Sequence, residues 1–214
     1  MLLVHEMQCF RLMDSKMVHG QNLGSEVVRT NYRTFGVYSV KGVSFAVKKG
    51  ERFVILGSNS CGATSVIQAI IGRTRIISGE VLLDGRPLGE YLEKNTSFHN
   101  MIGFQPQHSA LDPDMTVREH LVTFARLGGL SETDATPHAN NIMLKLELLH
   151  EADEKASELS TGFKRRLSLG LALIGRPKLI LLDEPLANLD PYIKPKVLQT
   201  IIDYTEDRTL IMST

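Results

Sequence analysis

The chain has 214 residues, with 24 lysines and arginines against 24 aspartates and glutamates, so no global basic field exists to gather nucleic acid. Hydrophobic residues at 43% and charged residues at 22% are those of a globular protein with one large or two small domains, which excludes disorder, collagen and coiled coil. Two cysteines, Cys9 and Cys61, are too few for a disulfide framework and point to a reducing environment. No apolar run approaches the roughly 18 residues of a membrane helix, and Met1 to Val4 is too short for a signal-peptide core.

Residues up to about Gly24 have mixed polarity and no sustained period, and read as an irregular or extended lead-in. From Val43 the alternation Val43-Ser44-Phe45-Ala46-Val47 predicts a half-buried strand, Lys48-Lys49-Gly50-Glu51 a turn, and Phe53-Val54-Ile55-Leu56 a buried parallel strand. After Gly57 comes a loop of small residues, then helical spacing from Ala63 to Ile71 with a stop at Gly72. Val81-Leu82-Leu83 before Asp84-Gly85 predicts a hairpin, and Met101-Ile102-Gly103-Phe104 a strand running into a polar loop that lasts to about Asp114.

Helices follow with readable ends. Thr116 and Glu119 fit a capping box, and Gly128-Gly129 closes that helix. Ser131 and Asp134 start another, whose first turn Pro137 should make irregular. A helix after Ser160 carries Leu167, Leu171 and Ile174 on one stripe and stops at Gly175 before Pro177. Leu179 to Leu182 is again a buried strand. Asp190 and Pro191 read as N-cap and first position of a helix running to about Glu206, in which Pro195 is an awkward fit, and Thr209 to Met212 is the last strand.

Strand, loop, helix is the order that binds phosphate. Gly57-Ser58-Asn59-Ser60-Cys61-Gly62-Ala63-Thr64 has Walker A spacing, whose glycines let backbone N–H groups curl round phosphate oxygens at a helix N-terminus. Ala63 stands where that loop carries its lysine. Thr64 keeps the hydroxyl that binds Mg²⁺, and Ser65 follows it. Taken alone, the loop reads equally as a strand-to-helix turn that binds nothing. Leu179-Ile180-Leu181-Leu182-Asp183-Glu184-Pro185 supplies context, because it is a Walker B pattern that delivers two carboxylates where parallel sheets place ligands. Asp183 would hold Mg²⁺ and Glu184 would polarise an attacking water. The alternative is two acids starting a solvated turn.

Leu159-Ser160-Thr161-Gly162-Phe163-Lys164-Arg165-Arg166, one helix before Walker B, resembles the ABC signature motif. From about Val27 to Thr214 the chain resembles the ATP-binding domain of ABC transporters. Its wording around Arg118-Glu119-His120-Leu121 and from Arg166-Leu167 through Ala172-Leu173-Ile174-Gly175-Arg176-Pro177 looks most like the lipid-exporting A subfamily. The resemblance implies an α/β P-loop NTPase fold, with a mainly parallel core sheet, an antiparallel β edge and a helical subdomain at about 115–175. It also implies a domain over 26–214 after a lead-in over 1–25, truncated before the family's switch histidine.

By that resemblance Tyr32 stacks on adenine, the alternative being a core or edge-strand aromatic. Gln107 reaches Mg²⁺ and the attacking water, the alternative being a plain loop amide. Ser160 and Gly162 face the γ-phosphate of ATP held by a second ABC ATP-binding domain, met head to tail. A transmembrane domain is the other implied partner, with ATP and Mg²⁺ as cofactors and this domain membrane-associated on the cytoplasmic side. Phe163 departs from the usual polar signature residue, and the missing lysine predicts weakened hydrolysis. Arg73 lies ten positions along, about 15 Å at 1.5 Å per residue, and is no substitute.

The remaining features point elsewhere. The seven histidines show no metal-ligand spacing and read as surface or loop residues, and Cys61 fills the space of a small loop residue. Lys164-Arg165-Arg166 reads as a solvated face or partner contact rather than a nucleic-acid site. The reading is an ABC-type ATP-binding domain that drives transport, whose own Walker A half-site is impaired. A non-catalytic nucleotide-binding or regulatory module is its rival, ahead of a soluble ABC protein acting on translation or DNA and a metabolic P-loop kinase.

Overall fold

The structure, a computed structural model, describes residues 25–34, 37–57, 61–74, 76, 78–93 and 101–214, with the backbone alone for the described residues up to 42 and for residue 78. The lead-in up to Gly24 therefore lies outside the described residues, while its last residue, Ser25, already belongs to a strand. Strands β1 (Ser25–Thr34), β2 (Val37–Lys48), β4 (Ser78–Leu83) and β5 (Arg86–Pro87) form an antiparallel sheet in the order β2-β1-β4-β5. Strands β3 (Arg52–Ile55), β6 (Ile102–Gln105), β7 (Leu179–Leu182) and β8 (Thr209–Ser213) form a second sheet in the order β3-β8-β7-β6, with every pairing parallel. The antiparallel part is thus a sheet of its own. Asp84 and Gly85 turn the hairpin between β4 and β5 with φ of 48° and 74°, the left-handed pair a two-residue hairpin requires.

The parallel sheet separates two cores. On one side α1 (Ala63–Ile70) lies among Val43, Val47, Val81 and Leu83 of the antiparallel sheet and Leu179, Leu181 and Ile211 of the parallel one. On the other, α3 (Val117–Leu127), α4 (Glu132–Lys145), α5 (Thr161–Ile174) and α6 (Lys194–Tyr204) cover Ile180, Leu182, Leu210 and Met212. Because β7 is buried on both faces, all four of its residues are aliphatic, as a central parallel strand requires. Each such side chain contributes about 1.5–3 kcal/mol relative to exposure. A short helix, α2 (Leu88–Glu93), anchors to the smaller core through Leu88. It was not expected, nor were β1 and the first half of β2.

Several helix ends follow the sequence closely. Thr116 Oγ1 accepts the Glu119 N–H at 3.1 Å and Glu119 Oε2 accepts the Thr116 N–H at 2.8 Å, the reciprocal cap that starts α3. Ser131 caps α4 by accepting the Asp134 N–H at 3.1 Å. Pro137 does not disturb α4, which is continuous from Glu132. The carbonyl its ring deprives of a partner is that of Thr133, and both residues are exposed, which lowers the cost of the missing bond.

Three expectations are corrected. Asp190 and Pro191 do not open α6. Asp190 Oδ1 accepts the Tyr192 N–H at 2.8 Å, and its carbonyl accepts from Ile193 and Lys194, closing a separate turn. The helix begins at Lys194, which puts Pro195 in its first turn, where a missing N–H costs no intrahelical bond. Nor does α5 bury a single stripe, since every residue from Arg165 to Gly170 is buried. It is wedged between β6 and the helices α3 and α4, so close that a Cβ on Gly103 would lie 1.9 Å from the Ala172 carbonyl oxygen. Finally, His120 is not a surface histidine. It is 2% exposed, its Nε2 accepts the Asp112 N–H at 3.0 Å, and its Nδ1 donates to the Thr116 carbonyl at 2.9 Å.

Candidate functional site

Strand order assembles the site. β8 lies between β3 and β7, with Ile55 of β3 opposite Ser213 and Leu182 of β7 opposite Met212. The loop after β3 and the carboxylates after β7 therefore emerge on either side of one strand end, at the carboxyl edge of a parallel sheet.

On the loop side, Ser58, Asn59 and Ser60 lie outside the described residues, while Gly57, Cys61, Gly62, Ala63, Thr64 and Ser65 lie within them. Gly62 is the N-cap of α1 at φ 97°, a conformation that favours glycine. It offers no side-chain cap, and the first helical bond is Val66 N–H to the Gly62 carbonyl. Among the described residues nothing accepts from the N–H groups of Ala63, Thr64 and Ser65, the kind of first-turn amide with which a helix N-terminus can hold an anion. The half-buried Ala63 packs against the core between the two sheets. Arg73 is engaged elsewhere, its guanidinium carbon 5.5 Å from the centre of the Phe104 ring.

On the carboxylate side, Asp183 is 1% exposed. Thr64 Oγ1 donates to its Oδ1 at 3.1 Å, and Ser213 Oγ donates to the same oxygen at 2.7 Å. Ser213 Oγ in turn accepts the Glu184 N–H at 2.9 Å, so one hydroxyl orients both acids. The other oxygen, Asp183 Oδ2, is buried with no hydrogen-bond partner among the described residues. A buried carboxylate oxygen left unpaired is costly, and it stands beside a hydroxyl on the same side of the site. This hard oxygen donor set fits Mg²⁺. Glu184 is half-buried with φ 50°, and no described group hydrogen-bonds its carboxylate.

The remaining candidates lie nearby to different degrees. Gln107 is exposed on the loop two residues past β6, the neighbour of β7. Ser160 is the N-cap of α5, accepting the Phe163 N–H at 3.4 Å, and the space beside Gly162 is open apart from Ser160 Oγ at 3.9 Å. No described hydrogen bond joins Ser160 or Gly162 to the other candidates. The backbone of Tyr32 sits in β1 opposite Val40; its side chain lies outside the described residues.

The basic run after Gly162 is where the structure corrects the sequence most sharply. Arg165 and Arg166 are 4% and 9% exposed, not a solvated face. Arg165 Nη1 donates to the carbonyls of Pro106 at 2.7 Å and Gln107 at 2.6 Å, while Nη2 donates to the carbonyls of Asp183 and Glu184. Burial lowers its pKa, an effect opposed by the nearby charges of Asp183 and then Glu184. Arg166 Nη1 caps the C-terminal end of α4 through the carbonyls of Leu146 and Glu147, both at 2.7 Å. Its guanidinium also lies 4.3 Å from the centre of the Phe163 ring. Ser213 and Arg165 are the two site-forming residues the sequence reading missed. The available signal was their position, one at the end of the strand that separates the two motifs, the other on the helix that precedes Walker B.

The comparisons agree with this geometry. The family model described as ABC transporter matches residues 40–187. The Nod factor export ATP-binding protein I of Burkholderia thailandensis is 40% identical over 152 residues, 71% of this chain and 49% of its own length. The linearmycin resistance ATP-binding protein LnrL of Bacillus subtilis is 33% identical over 82% of this chain and 55% of its own. The glucosylceramide transporter ABCA12 of Mus musculus is 33% identical over 83% of this chain, which is 7% of that protein. The chain thus spans about half the length of these bacterial relatives and a small part of the mammalian one. Among solved structures, the dimeric post-hydrolysis ATP-binding cassette MJ0796 bound to ADP and Pi superimposes with a TM-score of 0.77, at 24% identity and coverage of 89% of this chain and 87% of that one. A central parallel sheet, a phosphate-type loop and a paired carboxylate end, matched by the family model over more than half the chain, make this protein a member of the ABC transporter family, and the chain is an ATP-binding domain of that family.

Proposed function

We propose that this domain binds ATP with Mg²⁺ and couples that binding to export across a membrane, with weak hydrolysis at its own Walker A half-site. The observation that carries the reading is the buried Asp183 Oδ2, without a hydrogen-bond partner among the described residues, on a carboxylate whose other oxygen accepts from the hydroxyl of Thr64 in the first turn of α1. In this reading residues 26–214 are the ATP-binding domain and residues 1–25 a lead-in. Gly57 to Ser65 cradle the phosphates, Tyr32 stacks on adenine, and Thr64, Asp183 and Gln107 hold Mg²⁺. Bound Mg²⁺ supplies neutralisation of the phosphate oxygens. Glu184 accepts the proton of the attacking water; the absence of any described hydrogen bond to its carboxylate supports that role.

The reading extends to partners. Ser160 and Gly162 contact the γ-phosphate of ATP held by a second ABC ATP-binding domain, and the open space beside Gly162 supports an approach from outside the chain. The dimeric state of the MJ0796 cassette supports a head-to-tail pair, and this domain meets a transmembrane domain on the cytoplasmic side. The identity with a glucosylceramide transporter supports a lipid as the exported substrate.

Ala63 favours weak turnover. A lysine there would add a charged donor worth about 1.5–3 kcal/mol per hydrogen bond, so its absence costs on the order of 10- to 150-fold in rate if the loss falls on the transition state. The second reading, a nucleotide-binding module with no turnover of its own, rests on the same residue. Calorimetric titration of Mg-ATP into the native chain, Ala63→Lys and Asp183→Asn tests the first. Binding that weakens on Asp183→Asn and strengthens on Ala63→Lys is the expected result. No binding in the native chain, unrescued by the lysine, would overturn it.

A further inference from the structure

β6 ends at Gln105 and β7 at Leu182, so the carbonyls just beyond them have left the sheet ladder and need other partners. A single buried side chain supplies them. Arg165 takes the carbonyls of Pro106 and Gln107 with one terminal nitrogen and those of Asp183 and Glu184 with the other. The connection closes on itself. Gln105 Nε2 donates to the Arg165 carbonyl at 3.1 Å, and the Asp183 N–H donates to the Gln105 carbonyl at 3.0 Å. Gln105 is itself fully buried.

Two of the four carbonyls belong to the acids at the end of β7 and a third to the loop glutamine. Glu184 holds a left-handed φ of 50° that a non-glycine residue adopts only under constraint; the guanidinium on its carbonyl and the Ser213 hydroxyl on its N–H apply that constraint. Only a planar fork with donors on two separate nitrogens serves two strand ends at once. A lysine ammonium is a compact point charge with three donors. Arg165 is also five residues from Ser160, on the same helix, so any shift of that helix is passed to both strand ends together.

We propose that Arg165 is a positioning residue that fixes Gln107, Asp183 and Glu184 relative to one another and ties the metal-binding end of the site to the helix carrying Ser160 and Gly162. It acts through backbone carbonyls and does not touch nucleotide. The metal-related part of this inference rests on the function proposed above; the positional part does not.

Both parts are tested with the whole chain, in native, Arg165→Gln and Arg165→Lys forms. The first measurement is hydrogen exchange without nucleotide. In Arg165→Gln the hydrogen-bonded amides of Asp183, Glu184 and Ala187 are expected to exchange about tenfold faster or more, the loss of one charged hydrogen bond or greater, while amides of β4 and α4 stay at native rates. Arg165→Lys recovers part of the difference. Uniform acceleration through the molecule, or no local change, would overturn the proposal. The second measurement is ADP affinity with Mg²⁺ and with a chelator. The expected result is loss of the Mg²⁺-dependent gain in Arg165→Gln at unchanged affinity in the chelator; equal losses in both conditions would reduce Arg165 to a fold-supporting residue and overturn the proposal. If the native chain binds no nucleotide in either condition, the proposed function fails, and the exchange measurement still decides the role of Arg165.

Discussion

The two sides of the site are built to different standards. On the carboxylate side, Thr64, Ser213 and Arg165 converge on Asp183 and Glu184 with directed bonds, and Asp183 is almost wholly buried. On the loop side, three helix N-terminal amides have no acceptor among the described residues, and position 63 holds a methyl group facing apolar neighbours. Under the proposed function, the carboxylate side would orient a metal, while position 63 would bring no charge to a phosphate.

Removing charge from the well-built side has the largest expected effect. Asp183→Asn keeps an oxygen for Thr64 and Ser213 but loses the charge, so the Mg²⁺-dependent gain in nucleotide affinity should fall on the order of 100-fold, about 3 kcal/mol. Titrations with and without a chelator measure it. Improving the poorer side comes next, since Ala63→Lys should raise nucleotide affinity or turnover about 10- to 100-fold. A calorimetric and phosphate-release comparison would expose a loop that cannot use the added charge. Ser213→Ala removes the acceptor of the half-buried Glu184 N–H and one donor to the buried Asp183, with an expected loss of about 1–3 kcal/mol in stability by urea denaturation. A loss confined to stability, with no change in Mg²⁺ dependence, would break the link between Ser213 and the acids.

The smallest effect involves neither side. Burial and then the charge of Arg176, which donates to His138 Nε2 at 3.1 Å, lower the His138 pKa below 6.5. The folded state therefore takes this proton less readily than the unfolded one. Its contribution to stability is constant well above pH 6.5 and is lost as pH falls through 6.5 toward the folded value. His138→Gln should flatten the pH dependence of the urea midpoint in that window and leave it unchanged at pH 8.

Much of the fold was readable because its signals are local. The Thr116–Glu119 cap, the Asp84-Gly85 hairpin and the aliphatic run of β7 each need only neighbouring residues to make sense. The α6 start was misread for the same reason. Asp190 followed by proline matches a cap locally, yet it closes a separate turn, and Pro195 occupies the first helical turn instead. In the site, motif spacing singles out Thr64, Asp183 and Glu184, and the structure joins the first two by a direct hydrogen bond.

What the sequence determined by itself is the order of strand, phosphate-type loop, signature-like helix and paired acids, and the absence of a lysine at position 63, since these are matters of residue type and spacing. Tertiary structure alone decided that β8 runs between the two motifs, so that Ser213 reaches both acids. It also decided that Arg165, charged and flanked by two other cations in the sequence, is buried. Charge patterns predict exposure only when no acceptors lie inside, and here two strand ends leave four carbonyls that a single guanidinium satisfies.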